Sequence, residues 1–314
     1  MMEKAVLYRD MAKGPSGGRA YWLRADDGIR IRMGMWEVEN ARGTVFALPG
    51  FCEYIEKYGI AAGHLAERGY TSISVDWRGQ GLADRLTKNR MLGYIGSYSE
   101  FQLDLKALLA AARQLNLPRP WFMLAHSMGG CIGLRSLMDA TAFSACAFSA
   151  PMWGIYLAKA VRPIAWTFSH ASRYFGFDKF FTPGDSGSRH VTERSFEDNL
   201  LTRDEDMFEY MRRHLIEQPD LKLDGPSWRW LHESLSECRK LDRLPSPDIP
   251  CFTIMGTKEM VVDQNCIRNR MERWPNGELL TISGGLHEPL MDSPECRADM
   301  FDMISRFLNR HNRQ

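Results

Sequence analysis

The sequence predicts an α/β fold: a mostly parallel sheet flanked by helices, with a helical segment inserted late in the chain. Three observations carry this. Short apolar runs alternate with longer amphipathic stretches from Thr44 to Ser149, the rhythm of βαβ units. The rhythm breaks after Pro151 and resumes at Cys251, so residues 153–245 read as an insertion. Only His126 and Ser127 stand between the apolar run Trp121–Ala125 and the helical stretch Met128–Met138. A serine therefore occupies a tight strand-to-helix turn.

Each element has a local reason. Residues 1–18 read as an irregular lead-in that ends in Gly14-Pro15-Ser16-Gly17-Gly18. Tyr21–Arg24 and Ile29–Trp36 alternate in polarity and are joined at Asp26-Asp27-Gly28, a hairpin signal. Thr44–Leu48 is a buried strand ended by Pro49-Gly50, and Tyr54–Arg68 is a helix stopped by Gly69. Thr71–Val75 is the next strand and closes at Asp76. Ser99–Leu115 is a helix with Leu103, Leu105, Leu108 and Leu109 among its apolar positions, and Phe143–Ser149 is a strand. Pro245-Ser246-Pro247 marks a boundary. Beyond it come strand Cys251–Met255, helix Asn265–Arg273, strand Glu278–Ile282 and helix Arg297–Asn309. The insertion shows helical segments and many aromatics but no strand pattern. The chain divides into a core of residues 1–152 and 246–314 and a cap of residues 153–245.

Composition narrows the function. Of 314 residues, 44% are apolar and 25% charged, ordinary for a globular protein able to bury a large core. The formal net charge is +1, which gives no electrostatic case for a nucleic-acid partner. Seven cysteines without C-x-x-C spacing read as reduced thiols, not as a disulfide framework or a zinc site. The first ten residues carry no signal-peptide pattern, and no apolar run approaches the roughly 18 residues of a membrane span. A cytoplasmic location is expected.

The turn Ala125-His126-Ser127-Met128-Gly129 matches the nucleophile elbow G-x-S-x-G, with alanine in the first position. Small residues two before and two after the serine let the strand and helix backbones pass closely. A nucleophilic serine needs a base, and the base an orienting acid, in the chain order Ser, acid, His. His287 follows the last strand in the loop Ser283-Gly284-Gly285-Leu286-His287, where parallel sheets bind ligands, and is the candidate base. The acid is expected in the loop after Cys251–Met255. Glu259 lies near the strand end and is favoured. Asp263 is the fallback, with a helix N-cap as its plain role. The oxyanion donors are read as the backbone N–H groups of Met128 and of Phe51, in the loop after Thr44–Leu48. Asp76 and Arg78 are read as braces for nearby loops, Cys52 as a packed small side chain and His126 as structural. The remaining histidines form no metal-ligand spacing, so no metal site is expected.

The blocks LPGFCEY at 48–54, DWRGQGLADR at 76–85, AHSMGG at 125–130, GPSWRWLHESL at 225–235, IMGTKEMVVD at 254–263 and GGLHE at 284–288 span nearly the whole chain. Together they resemble the α/β-hydrolases of the monoacylglycerol lipase and lysophospholipase group, and the insert block resembles the bacterial lysophospholipase branch. The resemblance implies an eight-stranded core sheet with a helical cap, a triad carried by Ser127, Glu259 and His287, and no cofactor. This chain departs from the group in having Pro49-Gly50 for His-Gly, Ala125 for Gly and Glu259 for Asp. The implied activity is hydrolysis of monoacyl lipid esters through an acyl-serine, with short-chain carboxylesterase or acyltransferase as enzyme alternatives. An inactive hydrolase serving as a binding module is the alternative of another class. A peptidase reading lacks a recognisable site for a substrate's free amine. Trp153, Tyr156 and Trp166 in the insertion are expected to line the acyl pocket. The cap is expected to touch a lipid surface, and the oligomeric state is left open.

Overall fold

A computed structural model of the chain describes residues 2–139, 142–158, 160–184 and 187–312. Its strands are β1 (Lys4–Ala5), β2 (Arg19–Arg24), β3 (Arg30–Trp36), β4 (Thr44–Leu48), β5 (Thr71–Asp76), β6 (Leu92–Gly93), β7 (Trp121–His126), β8 (Ala145–Ser149), β9 (Gly225–Pro226), β10 (Cys251–Gly256) and β11 (Gly277–Ile282). Among the described residues, nine of these form one sheet in the order β1-β2-β3-β5-β4-β7-β8-β10-β11. The pairs from β5 to β11 are parallel, and β1, β2 and β3 add in antiparallel fashion. The sheet has nine strands rather than the eight expected. The addition is β1, which pairs Lys4 with Tyr21 and Ala5 with Ala20. Two residues carry no readable alternation, so the lead-in looked irregular.

β4, β7 and β8 are buried at every position, as strands covered by helices on both faces must be. Tyr54–Arg68 splits into a 3-10 turn, Ile55–Tyr58, and a helix, Gly59–Glu67. The change of pitch falls where a Cβ on Gly59 would lie 2.0 Å from the Ala12 carbonyl oxygen, so close backbone contact governs that segment. The described residues of 153–245 add no strand to the main sheet. They supply the helices Val161–Phe175, Ser188–Thr192, Glu205–Glu217 and Trp228–Asp242, while β9 pairs with β6 in a small ribbon. No helix among the described residues is long and apolar enough to cross a membrane. The parallel strands all end at one edge of the sheet. The loops after β4, β7, β10 and β11 meet there, where such folds place their sites.

Candidate active site

Ser127 follows β7 directly and precedes the helix Met128–Asp139. Its φ is +47°, a left-handed conformation that a non-glycine residue holds only under constraint from its surroundings. The constraint is visible. Ser127 N donates to Ser149 O at 3.1 Å, and Ser127 O accepts from Gly130 N at 2.9 Å and Met152 N at 2.8 Å. A Cβ on Gly129 would sit 2.2 Å from Leu48 O, so the second small position of the elbow must be glycine. Ala125 is fully buried in β7, where its one methyl is accommodated.

The loops after β10 and β11 bring Glu259 and His287 to the serine. His287 Nε2 lies 3.0 Å from Ser127 Oγ, and His287 Nδ1 lies 2.7 Å from Glu259 Oε2. Nδ1 therefore donates to the carboxylate and Nε2 is free to accept the hydroxyl proton. The other oxygen of Glu259 accepts from Val261 N at 2.6 Å and Val262 N at 3.0 Å. Burial alone would raise the Glu259 pKa, but His287 and these N–H groups outweigh it and hold the carboxyl below its usual range. Asp263 stands apart from the imidazole. It caps the helix Gln264–Glu272 by accepting from Asn265 N at 3.0 Å, and it pairs with Arg162 at 2.7 Å.

Phe51 lies in the loop after β4, and Met128 follows Ser127 at the start of its helix. Among the described residues, neither backbone N–H has a hydrogen-bond acceptor. The Phe51 loop is fixed around them: Trp77 Nε1 donates to Pro49 O at 2.9 Å, and Cys52 N donates to Gln80 Oε1 at 2.6 Å. Asp76 accepts from Ile55 N and Leu82 N, both at 2.8 Å, and pairs with Arg32 at 2.7 Å, while Arg78 pairs with Asp104 and Asp27. The His287 loop is tied to the insertion, since His287 N donates to Leu200 O at 3.3 Å and Glu288 N to Leu201 O at 2.7 Å.

A cavity of about 550 Å³ opens at Ser127 and His287. Its far walls are mainly apolar, including Ile155, Val161, Ile164, Leu215, Trp228 and Trp230. Of the three wall residues expected, Tyr156 lines it. Trp153 does not. It is buried against Phe148 and Trp274, with Nε1 donating to Gly130 O at 3.2 Å, because it leaves β8 on the core side. Trp166 does not either. It packs near His232 under the Arg239 guanidinium, on the face of its helix turned from the cavity. Phe168, Tyr174, Phe175 and Phe180 are exposed rather than packed into a core of the insertion.

Beside the serine lie four residues to which the sequence assigned no part in the chemistry, His126 among them having been read as structural. Glu53, Lys57, His126 and Glu288 are buried together, and all of them touch the cavity. Lys57 Nζ bonds Glu53 Oε1 and, at 2.5 Å, Glu288 Oε1. His126 Nε2 lies 3.4 Å from Glu288 Oε2 and 3.8 Å from Glu53 Oε1. For His126, Lys57 and Glu288 burial opposes the charge, yet the mutual attraction prevails. The His126 and Lys57 pKa values are raised by the two carboxylates, and Glu288 is held well below its usual range by His126 and Lys57. Glu53, His126 and Glu288 have the mutual spacing of metal ligands, with donor atoms within 4.8 Å of one another. The Lys57 ammonium already bonds both carboxylates. Lys57 lies in the 3-10 turn and Glu53 just before it, so in sequence the pair shows only an i, i+4 spacing common on solvated surfaces.

The sheet order and the elbow define the class: the chain is an α/β-hydrolase. Residues 39–294 match the Hydrolase_4 family, described as serine aminopeptidase, S33, and the chain belongs to that family. It is 27% identical over 317 aligned positions to lysophospholipase L2 of Escherichia coli (strain K12), covering 93% of this chain and 90% of that one. A shorter stretch of 119 positions, 35% of this chain and 36% of the relative, is 33% identical to monoglyceride lipase of Saccharomyces cerevisiae. A soluble variant of that yeast lipase, solved with a substrate analog, superposes with a TM-score of 0.73 at 20% identity, covering 93% of this chain and 95% of that one. These relatives place the chain among the serine ester hydrolases of the lysophospholipase and monoacylglycerol lipase group.

Proposed function

We propose that the protein hydrolyses monoacyl lipid esters, lysophospholipids or monoacylglycerols, through an acyl-serine intermediate. The observation that carries this is the hydrogen-bonded line Glu259–His287–Ser127 at a largely apolar cavity of about 550 Å³. The relatives named lysophospholipase and monoglyceride lipase support the substrate class.

In this reading His287 Nε2 takes the Ser127 hydroxyl proton as Oγ attacks the ester carbonyl. The oxyanion is held by the N–H groups of Phe51 and Met128, and Glu259 stabilises the imidazolium. The tetrahedral adduct collapses, the bond to the alkoxy oxygen breaks, and His287 returns the proton to the leaving alcohol. Water then repeats the sequence on the acyl-serine and releases the fatty acid. Residues 153–245 act as the cap that supplies the acyl walls. The exposed Val161, Ile164, Phe168 and Phe175 fall on one stripe of the helix Val161–Phe175 and give that cap a peripheral contact with lipid. The scattered cysteines, without C-x-x-C spacing, support a cytoplasmic setting.

The family description names a peptidase, but a free-amine site is not evident. The carboxylates that line the cavity among the described residues, Glu53 and Glu288, are both held by Lys57. The test is kcat/KM over a series of monoacyl esters from short to long, with an aminopeptidase substrate alongside. A buried methylene contributes about 0.8 kcal/mol, so a rise of roughly fourfold per carbon is expected until the cavity is full. A preference for acetyl or butyryl esters, or faster cleavage of the aminoacyl substrate, would overturn the reading.

A further inference from the structure

The buried quartet has a geometry that fixes its charges. His126 Nδ1 lies 2.9 Å from Ser149 O, and Nε2 faces the carboxylates of Glu288 and Glu53. A carbonyl and a carboxylate only accept, so both ring nitrogens carry protons and His126 is an imidazolium. Two carboxylates, one ammonium and one imidazolium then sum to zero.

Each member touches or adjoins one arm of the site. Glu53 Oε2 accepts from Gly50 N and from Tyr58 OH at 2.7 Å, so it shapes the loop carrying the Phe51 N–H. His126 immediately precedes Ser127, and the Ser149 oxygen that holds its ring also holds Ser127 N at 3.1 Å. Glu288 immediately follows His287. Lys57 joins the first arm to the third.

Burying four charges is a poor way to gain stability, because an apolar cluster of similar volume usually does as well or better. We propose that the quartet positions the reacting groups: through Lys57 it sets the oxyanion loop and the His287 loop at a fixed spacing, and through His126 it registers both against Ser127. These four are positioning residues, and the inference rests on the roles proposed above for Ser127, His287 and Phe51.

The experiment uses Lys57→Met, Lys57→Arg and the charge-balanced double variant Lys57→Met/Glu288→Gln. Thermal unfolding is followed for each, and a fluorophosphonate counts the active sites. Misplacement of reacting groups on the ångström scale lowers turnover about 100-fold, so that loss in kcat per labelled site is expected for Lys57→Met, with KM within about threefold. Lys57→Arg, whose guanidinium can still bridge two carboxylates, is expected within about tenfold of wild type. If Lys57→Met does not fold, the double variant takes its place under the same expectation. Turnover per site within threefold of wild type in either neutral variant overturns the proposal. So does the failure of both to fold, which would make the quartet structural. A wild type that the fluorophosphonate does not label would instead overturn the hydrolase reading beneath it.

Discussion

His287 Nε2 stands 3.0 Å from Ser127 Oγ across 160 residues of chain. At that distance the imidazole can take the hydroxyl proton without rearrangement. Ser127→Ala is therefore expected to lower ester turnover by several orders of magnitude while leaving the fold intact. Members of such a unit are not additive, so His287→Ala and the double variant should lose about as much as Ser127→Ala alone. Steady-state kinetics with circular dichroism as the folding control decides this. Folded Ser127→Ala protein with near-normal turnover would remove the serine from the mechanism.

The two candidate acids make separable predictions. Glu259→Gln keeps the shape beside His287 but removes the charge, and a loss of about 10²–10⁴ in kcat is expected. Asp263→Asn is expected to leave kcat within a few-fold and to lower stability by about 1 kcal/mol at most, the scale of a helix cap. Kinetics and urea unfolding on both variants test this. Loss of activity in Asp263→Asn alone would reverse the assignment.

Gly129 admits no side chain. Its Cβ would lie 2.2 Å from Leu48 O and 2.6 Å from Pro49 O, and both are backbone atoms leading into the Phe51 loop. Gly129→Ala is expected to destabilise by about 1–3 kcal/mol and to lower kcat per folded molecule as the loop is displaced. Urea unfolding and active-site titration measure the two effects. Unchanged stability and turnover would mean that the elbow is looser than described.

The wall of the cavity separates Trp153 from its exposed neighbours. Trp153→Ala removes a buried ring and is expected to cost about 3–5 kcal/mol without changing the order of preference among acyl lengths. Ile164→Ala and Tyr156→Ala, at residues 55% and 44% exposed that line the cavity, are expected to change stability little and to flatten the chain-length response. The opposite pattern would return Trp153 to the pocket.

His214 gives the fold a pH dependence. Its Nε2 donates to Met11 O at 2.7 Å, and its buried Nδ1 has no partner among the described residues. Burial holds its pKa down at about 4, below the roughly 6.5 of an unfolded histidine. The unfolded chain thus takes up the proton first. Stability from this group is complete above about pH 6.5 and falls by about 3 kcal/mol as the pH drops through the interval to 4. Urea unfolding at pH 7 and pH 4.5 should show His214→Gln losing less stability than wild type over that range. Equal losses would contradict the burial argument.

Much of the fold was legible because its signals are local. Thr44–Leu48 was read to the residue, and the elbow was visible because a strand, a serine and a glycine lie within nine positions of one chain. The order serine, acid, histidine could be matched to the loops after successive strands, with Glu259 favoured and Asp263 kept as the fallback. Only the tertiary structure separates Glu259 from Asp263, because both lie in one loop and their difference is direction: one carboxylate faces an imidazole and the other a helix N-terminus. Trp153 and Trp166 were misread for the same reason. An aromatic pattern shows that a ring will be covered, and the packing of distant strands and helices decides by what. Lys57 and Glu288 are separated by 231 residues, and nothing near either one announces the other. Periodicity, turn chemistry and capping act between neighbours in sequence and are written there, whereas the pairing of buried charges and the facing of side chains into a cavity arise only when the loops after β4, β7 and β11 are brought to one edge of the sheet.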